Sequence, residues 1–135
     1  MVLMVGFPAI FLAGCGGTRT IFPVDGKITD MDGQPIPGLG GHTVEFDSLD
    51  AKSSAIGPVR EDGSFRMTTT REGDGAWVGK QRVLISRPGS DTDAPPPRVI
   101  AAKYEEFATS ELTIVVKPES NHLTLKVQKA KDRKK

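Results

Sequence analysis

Few side chains of this sequence can carry covalent or acid–base catalysis. The 135 residues include one cysteine, Cys15, and two histidines, His42 and His122. A serine hydrolase needs a nucleophile, a base and a group that orients the base, and the sequence contains no G-x-S-x-G motif to supply the nucleophile. His122 begins an alternating segment directly after a turn, where a histidine is usually solvated. The sequence therefore predicts a protein that is not an enzyme.

Ligands for metals and phosphate are also few. Zinc needs three or four closely spaced Cys or His ligands, which two distant histidines and one cysteine do not supply. Asp30-Met31-Asp32-Gly33 imitates the opening of a calcium loop, but Gln34-Pro35 follows it instead of further carboxylates, so an Asx turn explains the aspartates better. No glycine-rich loop leads into a helix to hold phosphate. We expect no metal and no cofactor.

The single cysteine lies at the end of an apolar run. Residues 1–14 carry no charge and are almost continuously apolar. A transmembrane helix needs roughly 20 apolar residues, so this shorter run, which contains Pro8, is typical of a signal peptide. Leu12-Ala13-Gly14-Cys15 resembles the lipobox of bacterial lipoproteins, in which the cysteine is acylated and becomes the new N-terminus.

The lipobox resemblance implies a cellular location. Cleavage before Cys15 would leave 121 residues, and a diacylglycerol on the thiol would anchor them stably in a membrane at ~0.8 kcal/mol per buried CH₂. Asp directly after the cysteine tends to retain such proteins at the inner membrane, and here that position is Gly16. We expect a lipid-anchored protein of the bacterial cell envelope, with the outer membrane favoured. In the alternative, residues 1–17 form a buried first strand or helix and Cys15 is a core thiol.

Composition limits the fold of the remaining chain. Hydrophobic residues make up 37%, charged residues 26%, and the net charge is +1, which is typical of one globular domain and excludes a wholly disordered chain. The 15 glycines and 10 prolines disfavour long helices. One cysteine cannot form an intrachain disulfide, so apolar burial and hydrogen bonds must stabilise the fold.

Alternation of apolar and polar residues predicts an all-β fold. In one strand, for example, Val44 and Phe46 share a face while Glu45 lies on the other. We predict a seven-stranded antiparallel β-sandwich over residues 24–128, preceded by a lipidated cysteine and tether at 15–23 and followed by a basic tail at 129–135. The predicted strands are Val24–Thr29, Thr43–Ser48, Ser54–Arg60, Ser64–Thr69, Lys80–Arg87, Glu111–Lys117 and Asn121–Val127, and loops are predicted at 71–79 and 88–98.

Several motifs in this segment occur in the order of a known domain family. They are Gly26-Lys27-Ile28-Thr29, Asp32-Gly33-Gln34-Pro35-Ile36-Pro37-Gly38, Val44-Glu45-Phe46, Glu61-Asp62-Gly63-Ser64-Phe65 and Ala102-Lys103-Tyr104. Together they resemble the carboxypeptidase regulatory-like domain, a prealbumin-like, immunoglobulin-like β-sandwich common in bacterial envelope lipoproteins. The resemblance implies a non-enzymatic role in structure, adhesion or accessory binding, and a structural Tyr104 with a locally bonded hydroxyl. The sequence departs from the family at residues 39–42 and at Ala76-Trp77.

Three features are candidates for binding. The first is the tail from Lys126 to Lys135, which has a net charge of +5, whereas the rest of the chain has a net charge of −4. Its candidate binding residues are Lys131, Arg133, Lys134 and Lys135. The others are Trp77, as a sugar-stacking platform or a cap on the core, and the Gly38–His42 loop, including His42. They support an alternative function, a carbohydrate- or cell-wall-binding module. A prealbumin-like hydrolase is a more distant third.

The expected partners follow from the predicted location. They are the membrane, through the anchor at Cys15, and envelope proteins or wall polymer. No stacking aromatic residues accompany the basic tail, so nucleic acid is not an expected partner.

Overall fold

The computed structural model describes residues 20–89 and 96–131, which fold mainly into β-strands. The nine strands in these residues are β1 (Ile21–Phe22), β2 (Val24–Thr29), β3 (Thr43–Ser48), β4 (Ser54–Pro58), β5 (Ser64–Arg66), β6 (Ala76–Trp77), β7 (Gly79–Ser86), β8 (Leu112–Val116) and β9 (Asn121–Lys126). A 3₁₀ helix at Ala102–Glu105 and the single-turn helix α1 at Phe107–Ser110 precede β8. The predicted signal peptide and Cys15 lie outside the described residues.

The strands form two main sheets and one short ribbon. One sheet has four strands in the order β4-β3-β7-β8, all antiparallel. The second has three strands in the order β5-β2-β9, and the ribbon pairs β1 with β6. Alternating side chains from both main sheets point into one core, which contains Phe46 and Val83 from the first sheet and Phe65 and Ile28 from the second. The architecture is therefore all-β and sandwich-like, as the alternation predicts.

Two details of the predicted sandwich are wrong. The described residues contain nine strands instead of seven, because β1 and β6 have only two residues each and are too short to show alternation. The sandwich is also not wholly antiparallel, since β9 runs parallel to β2 with Val24 opposite Asn121 and Thr29 opposite Lys126. Alternation identifies which face of a strand is buried, but it does not determine which strand lies beside it.

Both ends of the predicted domain extend further than expected. In the predicted tether, Ile21 pairs with Trp77 of the predicted 71–79 loop. Gly75 permits this contact, because a Cβ there would lie 1.7 Å from the carbonyl oxygen of Phe22. At the other terminus, Lys129 of the predicted tail forms a β-bridge with Ile100. Ile21 of the predicted tether and Lys129 of the predicted tail are thus both paired with residues of the sandwich.

Strand directions define two ends of the molecule. The N-terminal end contains β1, β6 and the first residue of β7, Gly79. The opposite end contains the last residue of β7, Ser86, which pairs with Thr43. We call it the groove end, because Arg87, directly after β7, lines a groove there. The eight residues of β7 separate the two ends by roughly 25 Å at about 3.3 Å per residue.

Candidate functional site

A groove of about 950 Å³ lies at the groove end, and its walls combine positive charge with apolar surface. Four basic side chains line it: Arg87 just after β7, Arg98, Lys129 and Lys131. The apolar lining residues are Ile36, Pro37, Pro96, Pro97, Val99, Ala101, Ala102 and Ala130. This combination suits a ligand that carries negative charge together with apolar or sugar-ring surface.

One carboxylate holds two of the four cations in place. Glu105 accepts a hydrogen bond of 2.5 Å from Nε of Arg87 through one oxygen and 3.2 Å from Nη2 of Arg98 through the other. Arg87 also donates from Nη1 to the carbonyl oxygen of Pro96 at 2.9 Å. The Arg87 and Glu105 side chains are each 23% exposed, so this pair is more rigid than a surface ion pair. With Glu105 counted against the four cations, the groove keeps a net formal charge of +3.

Backbone bonds fix the wall of the groove that carries Lys129. Ala101 donates to the carbonyl oxygen of Gln128 at 3.0 Å, and Ala130 donates to that of Val99 at 3.0 Å. The hydroxyl of Tyr104 accepts the backbone N–H of Gln128 at 2.9 Å, while its ring is 3% exposed within the core. Tyr104 is thus structural, but its hydroxyl bonds a residue 24 positions away instead of a local group. It couples the core to the wall of the groove.

His42 lies near the groove but is buried at 2% exposure. Its Nδ1 is 3.0 Å from the carbonyl oxygen of Leu39 and must donate, because a carbonyl only accepts. Nε2 has no hydrogen-bond partner in the described part of the chain. Burial lowers the pKa of His42, and the bond to Leu39 opposes this effect only partly. Because the imidazole ring is buried, it cannot make the direct contact with a carbohydrate or wall polymer that the sequence predicts for His42.

Trp77 is partly buried in β6 at the N-terminal end and is not in an open loop as expected. Its carbonyl oxygen accepts a hydrogen bond of 2.8 Å from Nε2 of Gln81. The Gly38–His42 loop precedes β3 at the groove end, since Thr43 pairs with Ser86. The structure therefore separates Trp77 from this loop by about the length of β7, and the two do not form one surface.

Of the predicted basic binding residues, Lys131 lines the groove. Arg133, Lys134 and Lys135 lie outside the described residues, as does the lipidation residue Cys15. Lys129 belongs to the predicted basic tail, although it is not one of the four candidate binding residues named there, and no sequence motif identifies Arg87 or Arg98. Arg87 directly precedes the proline-rich 88–98 loop and Arg98 ends it, and Lys129 reaches them through the parallel pairing of β9 with β2.

His122 forms an exposed pair with Asp25 on the second sheet. Its Nδ1 lies 2.6 Å from Oδ1 of Asp25, across the parallel β2–β9 register. The side chain of His122 is 75% exposed and that of Asp25 is 46% exposed. Such a dyad can relay a proton, but among the described residues no hydroxyl group is bonded to the imidazole as a nucleophile.

The other sequence motifs form local structure. Oδ1 of Asp30 accepts the backbone N–H groups of Asp32 and Gln34, both at 2.9 Å, which is the Asx turn expected from the sequence. Across residues 20–89 and 96–131, no three His, Cys, Asp or Glu side chains are grouped to hold a metal ion. In the same residues, no helix has the length and apolar character to cross a membrane.

Comparison with known proteins gave no match: no family model, no curated protein and no solved structure is similar to the chain.

Proposed function

We propose that the chain is a non-enzymatic, lipid-anchored protein of the bacterial cell envelope whose β-sandwich binds an anionic envelope polymer in the groove. The anchor is the diacylated Cys15, at the end of the uncharged run 1–14. The proposal includes the prealbumin-like, carboxypeptidase regulatory-like character of the sandwich that the sequence motifs imply. The observation that supports binding most directly is the groove itself, which is lined by four cations and eight apolar residues.

The composition of the groove favours a polymer over a small ion. A small inorganic anion needs converging donors, whereas here two guanidiniums already share Glu105 and the two lysines lie along one wall. Extended positive charge with apolar surface suits a chain of acidic sugars, whose carboxylates meet the cations while their rings contact the apolar residues. The ligand class that fits best is therefore a polyanionic glycan.

The position of the groove agrees with an anchor at Cys15. Thr20 is five positions after Cys15, a distance of at most about 18 Å in a fully extended chain, so the N-terminal end would stay close to the membrane. The groove lies at the other end of β7, roughly 25 Å further away. From there it would face the polymer outside the membrane and not the headgroups beneath the anchor.

A matched pair of double variants tests the groove. Binding of polygalacturonate, a carboxylated polysaccharide, is measured by isothermal titration calorimetry with neutral dextran as the uncharged comparison. Lys129→Gln with Lys131→Gln removes two groove charges, and Lys27→Gln with Lys80→Gln removes two exposed charges from β2 and β7. Two contacts at about 1 kcal/mol each in water, reduced by salt screening, predict roughly tenfold weaker binding for the groove variant only.

Three results would count against the proposal. Equal losses in both double variants would mean diffuse attraction to net charge. Absence of polygalacturonate binding at low salt would mean that the groove does not recognise polyanions. Dextran binding that is lost on Trp77→Ala would instead favour the carbohydrate-binding module that uses Trp77.

A further inference from the structure

Two exposed apolar side chains lie at the N-terminal end of the four-stranded sheet. Leu49, in the turn between β3 and β4, is 48% exposed, and Val115 of β8 is 56% exposed. Both are neighbours of Lys80 in β7. The N–H of Leu49 donates to the carbonyl oxygen of Lys80 at 3.2 Å, and Val115 lies directly opposite Lys80 in the β7–β8 register. The three residues therefore share one corner of the sheet.

Two further lysines are exposed at this corner. Lys52 ends the turn that begins with Leu49, and Lys117 comes directly after β8, two positions beyond Val115. Apolar and cationic side chains thus alternate over a small area. We call it the tether corner, and it consists of Leu49, Lys52, Lys80, Val115 and Lys117.

The turn that carries Leu49 is held in place by backbone bonds. Ser48 donates its N–H to the carbonyl oxygen of Ser53 at 2.8 Å, and its hydroxyl accepts the N–H of Ala51 at 3.1 Å. Lys52 has a left-handed backbone with a φ of 50°, where glycine is less strained. The geometry of the turn therefore gives no reason for a lysine at this position.

The chain enters the fold beside the tether corner. Thr20, the first described residue, accepts the N–H of Val78 at its carbonyl oxygen, at 2.8 Å. Lys80 follows Val78 by two residues, or about 7 Å of strand. Because Thr20 is at most about 18 Å from Cys15, the tether corner lies within roughly 25 Å of the proposed lipid anchor.

We propose that the tether corner docks on the phospholipid bilayer that holds the anchor. Leu49 and Val115 reach the boundary between headgroups and acyl chains, and the three lysines bind lipid phosphates while their aliphatic stems lie along the apolar contact. This inference rests on the acylated Cys15 of the proposed function. It adds that the sandwich has a fixed orientation, with the groove held on the side away from the membrane.

The short tether makes the bilayer the partner that fits best. A surface that is tethered this closely meets the bilayer at a high effective concentration, so contacts too weak for a free protein are sufficient. Asp50 and Glu119 lie in the turns beside the three lysines, which leaves a net formal charge of +1. Attraction to anionic lipid is therefore modest, and the tether supplies most of the preference for the membrane.

Quenching of a fluorescent label by lipid tests the docking. The acylated protein is reconstituted into phosphatidylethanolamine–phosphatidylglycerol vesicles that contain a lipid with a doxyl quencher near its headgroup. Leu49→Cys carries an NBD label, and with Cys15 acylated the new cysteine is the only free thiol. Met31→Cys is the matched control, since Met31 is 56% exposed just beyond the groove end of β2. We expect about twofold quenching for Leu49→Cys and none for Met31→Cys.

A pair of double variants tests the lysines in the same assay. Lys80→Gln with Lys117→Gln should reduce the quenching of the Leu49→Cys label by about half, because two phosphate contacts are lost. Lys27→Gln with Lys126→Gln removes the same charge from exposed positions of the second sheet and should leave the quenching unchanged.

The outcomes separate failure of the docking from failure of the anchor. An unacylated protein, recognised by its mass and by labelling of Cys15, would overturn both. An acylated, vesicle-bound protein without quenching at Leu49→Cys would overturn the docking alone. Equal quenching of the Leu49→Cys and Met31→Cys labels, or equal losses in the two lysine pairs, would also overturn it.

Discussion

Tyr104→Phe isolates the bond between the core and the wall of the groove. The substitution removes only the hydroxyl, and the ring continues to fill its place in the core, where it is 3% exposed. The backbone N–H of Gln128 then loses the acceptor that it has at 2.9 Å. The effect is therefore that of a single hydrogen bond and not of a cavity.

The decrease in the free energy of unfolding depends on how buried the hydrogen bond between Tyr104 and Gln128 is. A typical intramolecular hydrogen bond contributes about 0.5–1.5 kcal/mol net, and leaving a buried donor without an acceptor costs about 1–3 kcal/mol. The Tyr104 hydroxyl is inside the core, but the Gln128 side of the bond is only part-buried, so water can partly replace the acceptor. We expect the free energy of unfolding in urea to fall by roughly 1–2 kcal/mol.

Gln128→Ala is the matched control, because the donor is the backbone N–H and survives the substitution. Its free energy of unfolding should stay within about 0.5 kcal/mol of the original, as for most exposed sites. The reasoning is refuted if Tyr104→Phe leaves stability unchanged, or if the two substitutions cost the same. We also expect Tyr104→Phe to weaken polygalacturonate binding, since Ala101 and Gln128 of the groove wall are joined beside this bond.

Three further predictions concern stability. Burial lowers the pKa of His42 in the folded state below its ordinary 6.5, so the unfolded chain takes up the proton first as the pH falls. The contribution of His42 to the free energy of unfolding should therefore be complete above about pH 6.5 and decrease below it. His42→Asn, which can keep the donor to Leu39, should show a flatter pH profile in urea unfolding. Asp74→Ala should cost about 1–2 kcal/mol in the same assay, because its carboxylate accepts three backbone N–H groups at 2.7–3.1 Å that lower its pKa despite the opposing effect of burial. Gly26→Ala should lower the thermal midpoint, at a cost of about 1–3 kcal/mol, since the added Cβ would lie 2.5 Å from the Phe65 ring.

Much of the fold could be predicted from alternation alone. The pattern around Val44 and Phe46 predicts β3 with its observed bounds, and both side chains are buried as expected. The same is true of Val24–Thr29, where β2 begins and ends at the predicted residues. Alternation succeeds because burying one face of a sheet fixes which residues point inward.

The groove could not be predicted in this way. Arg87 and Arg98 are joined through Glu105, but Lys129 lies far from both in the sequence and reaches them because β9 runs parallel to β2 and returns the chain to the end where β7 finishes. Neither the parallel pairing nor the two-residue strands leaves a periodic signal in the residues. The burial of His42 could not be predicted either. A histidine in a glycine-rich loop is expected to be exposed, and only the packing of the loop on the core, with Leu39 fully buried, shows that His42 is buried too.

The proposed location is tested most directly by the mass and membrane partitioning of the natively expressed protein beside its Cys15→Ala variant. The proposal predicts a wild-type mass that lacks residues 1–14 and gains acyl chains, recovered with the membrane fraction, and a variant that is neither acylated nor retained there by an acyl anchor. A full-length, unacylated wild-type chain that partitions in the same way as the variant would contradict the envelope anchor, and with it the proposed encounter between the groove and an envelope polymer.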